Sequence, residues 1–250
     1  MSKNGFQARF AGDGVVEMEF YGVIGPSLED DYIYAPQVLR ELKGMGKVDK
    51  LVLLMNSPGG DVYDGFQIAN RLDKLREDGQ IGSIETHAEG LVASAATLPF
   101  LKGDRRVMRN GSRMMIHKPW MFGMGNAEDM RAAATRLDQT EQEALDLYES
   151  ISALTREEIA AAMAVETFYT PKEAEAVGFA TEVAEPFALA ACMSRSLRLR
   201  FKHLPDDLQV LDWDEVTSQA PPADPAAELR ELAAAHGVAP EALRFLTPPA

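Results

Sequence analysis

Along the first half of the chain the apolar positions switch between two periods. Val16, Met18 and Phe20 alternate with Glu17 and Glu19, the pattern of a half-exposed strand, which Gly22 and Gly25-Pro26 end. From Tyr34 to Lys43, Val38, Leu39 and Leu42 fall at helical intervals, and Gly44 and Gly46 stop the run. Leu51 to Met55 is uninterrupted and apolar, as expected of a parallel strand covered on both faces. Asn56-Ser-Pro-Gly-Gly60 breaks it, and Val62, Phe66, Ala69, Leu72 and Leu75 then mark one face of an amphipathic helix. This strand–helix alternation predicts an α/β fold with a mostly parallel sheet.

Further on, Ile81 to Thr86 reads as a strand and Ala95 to Leu101 as a buried helix. Arg106 to Met108 and Met114 to His117 read as two short strands around an Asn110-Gly111 turn. Gly123 to Asn126 is a break. Over about residues 127 to 153, Met130, Leu137, Ala144 and Ile151 recur seven apart, with Ala134 and Tyr148 on the same side. This is one long helix whose stripe faces either its own core or another subunit. Thr155 to Glu158 is a capping box, Thr170-Pro171 opens another helix that Gly178 closes, and Phe179 to Val183 is the last strand.

The domain expectation is a flexible N-terminus over 1–14, a catalytic domain over 15–189, and a C-terminal tail over 190–250 with short helices and disordered parts. Within the tail, Gln219 to Asp224 reads as a linker and Glu228 to Ala235 as a short helix. Arg195, Arg198, Arg200 and Lys202 make a local basic patch there, either a solvated segment or a docking or self-processing one.

Composition narrows the function classes. A formal net charge of −14 over 250 residues argues against nucleic-acid or anionic-membrane partners. The single cysteine, Cys192, excludes an intrachain disulfide framework and fits a reducing compartment. The opening residues have no apolar signal-peptide core, and no stretch has the ~18 apolar residues of a membrane span. A cytoplasmic location is expected.

The candidate chemistry centres on Ser94, set among small residues in Gly90-Leu-Val-Ala-Ser-Ala-Ala96 between a strand and an apolar run. Such a junction exposes a hydroxyl near backbone N–H groups, and it equally suits close packing of helix on sheet. His117, at a strand end before Pro119, is a candidate base or a structural histidine. His87, His203 and His236 are weaker candidates. The glycines of Asn56 to Gly60 let backbone approach another group closely and aim N–H groups at a developing oxyanion, or simply make a tight turn.

In this order NSPGG at 56–60, GLVASAA at 90–96, MMIHKP at 114–119 and FYTPKEAEAVGF at 168–179 resemble the ClpP family of serine peptidases. Within it they are most similar to phage-encoded head maturation (prohead) proteases. The resemblance covers about Val16 to Val183. It implies a ClpP/crotonase-like fold of repeated β-β-α and βαβ units with a protruding strand-and-helix handle, here about residues 120–153 with Gly123 and Gly125 in the strand part. It also implies a Ser94–His117–Glu166 triad, with the backbone N–H groups of Gly60 and Ala95 as oxyanion hole and no metal or cofactor. The glutamate departs from the family's aspartate, and Glu173 and Asp138 are the fallback acids.

The implied function is an ATP-independent endopeptidase, with no AAA+ unfoldase evident. Its substrates would be capsid, scaffold or portal precursors, cut in the host cytoplasm inside the assembling prohead. The implied assembly is a homo-oligomeric ring, a heptamer or double ring. The alternatives are a crotonase-fold acyl-CoA enzyme, a Ser–Lys dyad using Lys118, and a non-catalytic or latent assembly protein.

Overall fold

The computed structural model describes residues 5–26 and 32–184, together with the backbone of Cys192–Ser194 and Gln209–Leu211. The chain divides into two units, Met1–Val210 and Leu211–Ala250, and everything below concerns the first. The expected tail boundary, linker, helix and basic patch lie outside the described residues.

An eight-stranded sheet organises this unit. Its path runs from β1 (Phe6–Gly12) through β2 (Val15–Tyr21), β5 (Val48–Ser57), β6 (Ile81–Ala93) and β7 (Arg105–Arg109) to β10 (Glu182–Ala184). β1 is antiparallel to β2, and every later pair on this path is parallel. Phe6–Gly12, inside the segment expected to be a flexible end, is therefore a paired strand. Its Phe6 is 2% exposed and stacks edge-on against Phe20. Two short strands, β3 (Val23–Ile24) and β4 (Tyr32–Ile33), pair separately.

The helices follow the apolar periods. α1 (Ala35–Gly44) buries Val38 and Leu42, and α2 (Val62–Glu77) buries Ile68, Ala69, Leu72 and Leu75. Asp61 caps α2 by accepting the N–H groups of Tyr63 and Asp64. The fold is thus the expected α/β arrangement of strand–helix units.

One sequence reading is corrected. The strand expected over 81–86 continues to Ala93, because Glu85, His87 and Glu89 all lie on one half-exposed face while Ile84, Thr86 and Ala88 are buried on the other. The polar face is neutralised across strands: Glu85 pairs with Lys50 and Arg105, and Glu89 accepts from Tyr21. The two short strands expected around Asn110-Gly111 are present, and they do not pair with each other. β7 and β8 (Arg113–Ile116) both run parallel to β6, at successive stretches of its length. The long strand offers one edge to both, and the turn only steps the chain from one stretch to the next.

α4 (Ala127–Ile151) realises the long helix, opened by an Asn126 capping box. Its stripe splits. Ala144 and Tyr148 are buried in the unit's own core, whereas Met130 is 38% exposed. The preceding segment, expected as the handle's strand, has no strand within the single chain. Trp120, Met121, Phe122 and Met124 are all exposed there. An extended segment needs a partner strand to complete its ladder. α5 (Arg156–Ala164), β9 (Thr167–Tyr169) and α6 (Pro171–Val177) complete the unit, with Gly178 in the left-handed conformation ending α6. Among the described residues no helix is long and apolar enough to cross a membrane.

Candidate active site

The site is assembled by three strand ends. At the end of β5, the Ser57–Gly60 turn is pinned on both sides: Ser57 Oγ accepts the Gly59 N–H at 3.2 Å, Ile24 N–H donates to the Gly59 carbonyl, and Asp61 N–H donates to the Ile24 carbonyl. Gly59 has φ +86, and a Cβ on it would lie 2.5 Å from the Ala93 carbonyl oxygen, 2.7 Å from Ser94 Cβ and 2.8 Å from Ala95 N. Only glycine lets the turn lie flat against the serine.

β6 reaches this turn through an irregularity. Met55 pairs with Ala88, yet Ser57 pairs with Val92. The looped-out stretch is held by Asn56, whose Oδ1 accepts the Leu91 N–H at 2.9 Å. Gly90 makes room for it, since a Cβ there would be 2.5 Å from that oxygen. Asn56 is a site-shaping residue that the sequence reading placed only in a turn; its signal was its place directly after a buried strand.

Ser94 then opens a 3-10 turn, Ser94–Ala96, running into α3 (Thr97–Phe100). Its φ is +54, a left-handed conformation that few non-glycine residues adopt. The first N–H groups of such a turn lack intrahelical acceptors, and Ala95 N–H is one of them.

His117 follows β8, and Lys118 N–H donates to the Met163 carbonyl at 3.1 Å, tying this strand end to the last turn of α5. His117 Nε2 lies 2.7 Å from Ser94 Oγ. For Nε2 to accept the hydroxyl proton, Nδ1 must carry the ring proton. Burial lowers the His117 pKa below the ordinary histidine value, and the Glu166 carboxylate partly offsets this by favouring the charged ring. The imidazole is therefore neutral at neutral pH, the state a general base requires.

Glu166 joins α5 to β9. β9 pairs antiparallel with β8, Ile116 opposite Thr167, and continuing that register by one residue sets Glu166 opposite His117. Its φ is +55. The structure thus brings Ser94, His117, Gly60 and Ala95 to one cavity of about 520 Å³ and sets Glu166 behind the histidine. Leu98, Leu137 and Tyr148 are among the apolar residues of the cavity, and Trp120 and Phe122 also border it.

The other candidates are occupied elsewhere. Glu173 accepts from the Thr170 N–H and hydroxyl in the α6 capping box, which holds its carboxyl below the ordinary value. Asp138 is exposed on α4. Lys118 Nζ pairs with Glu141 at 2.8 Å, and His87 Nε2 contacts Glu85 at 2.7 Å. His203 and His236 lie outside the described residues.

Residues 30–187 match the family described as Clp protease. The chain is 28% identical over 138 residues to an ATP-dependent Clp protease proteolytic subunit from Nephroselmis olivacea, a match covering 54% of this chain and 64% of that protein. It is 30% identical over 132 residues to subunit 1 of the corresponding protein from Chlamydia abortus, covering 51% and 66%. The chain thus spans less than two thirds of the length of these relatives. A solved ClpP1 mutant from Listeria monocytogenes superposes with a TM-score of 0.55 at 22% identity, covering 66% of this chain and 88% of that one.

Proposed function

The chain belongs to the Clp protease family, and from that premise we propose that it is a serine endopeptidase acting through Ser94, His117 and Glu166. The observation that carries this reading is the 2.7 Å contact between Ser94 Oγ and the Nε2 of a histidine whose burial keeps it neutral. His117 takes the serine proton as Oγ attacks a peptide carbonyl, and the Gly60 and Ala95 amides receive the oxyanion. His117 then protonates the leaving amine, and water repeats the sequence on the acyl-enzyme. Glu166 steadies the ring and the imidazolium that forms.

The finer proposal is ATP-independent cleavage of capsid, scaffold or portal precursors in the cytoplasm by a ring of identical subunits. It is supported by the similarity of the four motifs to head maturation proteases. The exposed Trp120–Met124 segment and the exposed start of α4 suit a contact between copies. A second reading has a specific support: the relatives are by name proteolytic subunits of ATP-dependent proteases, which implies delivery of substrate by an ATPase.

The test is incubation of the oligomer with denatured casein and, separately, with a folded capsid precursor, in the absence of nucleotide. Cleavage of both, lost in Ser94→Ala, supports the head maturation reading. Cleavage of casein alone supports the ATPase-dependent one. Cleavage of neither by an assembled protein contradicts the peptidase assignment.

A further inference from the structure

Beneath the candidate nucleophile runs a buried polar chain that the peptidase mechanism does not use. Thr97, fully buried, places Oγ1 2.7 Å from the Ser94 carbonyl oxygen and 2.7 Å from the Tyr148 phenol oxygen. A carbonyl oxygen only accepts, and a threonine hydroxyl has a single proton. That proton goes to Ser94, so Tyr148 must donate to Thr97. The Thr97 backbone N–H donates to the same carbonyl, engaging both of its lone pairs. Tyr148 comes from the C-terminal half of α4, is 3% exposed, and is held edge-on against Phe179 at 5.8 Å. Burial pushes its phenol up to about 12, so it remains a donor throughout the neutral range.

We propose that Thr97 and Tyr148 are positioning residues for the reaction: a one-way chain, Tyr148 O–H to Thr97 O–H to Ser94 C=O, fixes the peptide plane on which both the nucleophile and the oxyanion donor depend. The Ser94 carbonyl and the Ala95 N–H belong to one planar trans peptide and point in opposite directions. Gripping the carbonyl from below therefore aims the Ala95 N–H up into the cavity. It also opposes relaxation of the left-handed φ at Ser94, a conformation unfavourable for an L-residue because its Cβ crowds the following carbonyl oxygen. A threonine bonding back to a carbonyl one turn earlier is common at helix starts. What sets this one apart is the buried phenol from a distant helix that has to donate to it. The long helix, whose first turns are exposed at its other end, is thereby coupled to the catalytic peptide.

The proposal rests on Ser94 being the nucleophile, and its test separates the two. The rate of inactivation by a fluorophosphonate is resolved into kinact and KI for wild type, Thr97→Val, Thr97→Ser and the double variant Thr97→Val/Tyr148→Phe, with the thermal midpoint of each. Thr97→Val should lower kinact by about 10²-fold, the effect of a displacement of roughly 1 Å, with KI little changed, and Thr97→Ser should restore it. Thr97→Val also orphans the buried phenol and should lower the thermal midpoint. The double variant removes that orphan and should regain stability without regaining kinact. If wild type labels at Ser94 but kinact is unchanged in Thr97→Val, or returns together with the thermal midpoint in the double variant, the positioning role is overturned alone. If wild type does not label at Ser94, the peptidase reading falls and the positioning role with it.

Discussion

Three described non-glycine residues have positive φ: Asp13 in the turn between β1 and β2, Ser94 and Glu166. Two of the three flank His117, and a bulky glutamate in that conformation persists only where its surroundings hold it. The serine and histidine were legible in the sequence because small residues and a strand-end imidazole are visible there. The acid was legible only through family resemblance, since its placement depends on the β8–β9 register and a left-handed backbone. Two predictions belong at this scale. Because the Glu166 carboxylate raises the His117 pKa while burial lowers it further, the acid limb of the pH profile of kcat/KM should have its midpoint below about 6.5. Glu166→Gln removes the raising contribution, so the limb should move to still lower pH as kcat drops; movement to higher pH would exclude Glu166 as the group facing the ring. Gly59→Ala should abolish activity, as its methyl would meet Ala93 and Ser94; a pH-independent, fully active variant in a peptide assay would refute the tight turn.

At the scale of elements, β6 shows why hydrophobic pattern alone stops short. His87-Ala-Glu-Gly90 lacks the β-branched residues of a strand, yet its polar side chains find partners, His87 with Glu85 on the same strand and Glu89 with Tyr21 of β2 and Arg109 of β7, and the pleat continues to the nucleophile. The looped-out stretch facing Asn56 is likewise invisible locally, because it depends on two strands 35 residues apart in sequence. Asn56→Ala should orphan the Leu91 N–H, destabilise the fold by about 1–3 kcal/mol, and slow reaction at Ser94. Asn56→Asp keeps an acceptor oxygen and should recover most of both, as read by thermal denaturation and inactivation rate. The strands around Asn110-Gly111 teach the converse: a hairpin-type turn does not make a hairpin when a long neighbouring strand offers its edge to both flanking segments.

For the whole molecule, the single chain leaves an apolar segment in solvent, with Phe122 90% and Met124 98% exposed. Exposed aromatics beside a cavity mark an interaction surface, and the proposed occupant is a second copy. Trp120→Ser/Phe122→Ser should shift the sedimentation profile toward smaller species while the isolated chain keeps its far-UV dichroism; an unchanged oligomer would move the interface elsewhere. The central claim, an activated serine held by a neutral histidine, is tested most directly by intact mass and peptide mapping after fluorophosphonate treatment of the assembled protein. The account predicts one adduct per chain, on the peptide containing Ser94, absent in Ser94→Ala and reduced on the order of a million-fold in rate in His117→Ala. An adduct at another residue, or equal labelling of the His117→Ala variant, would contradict it.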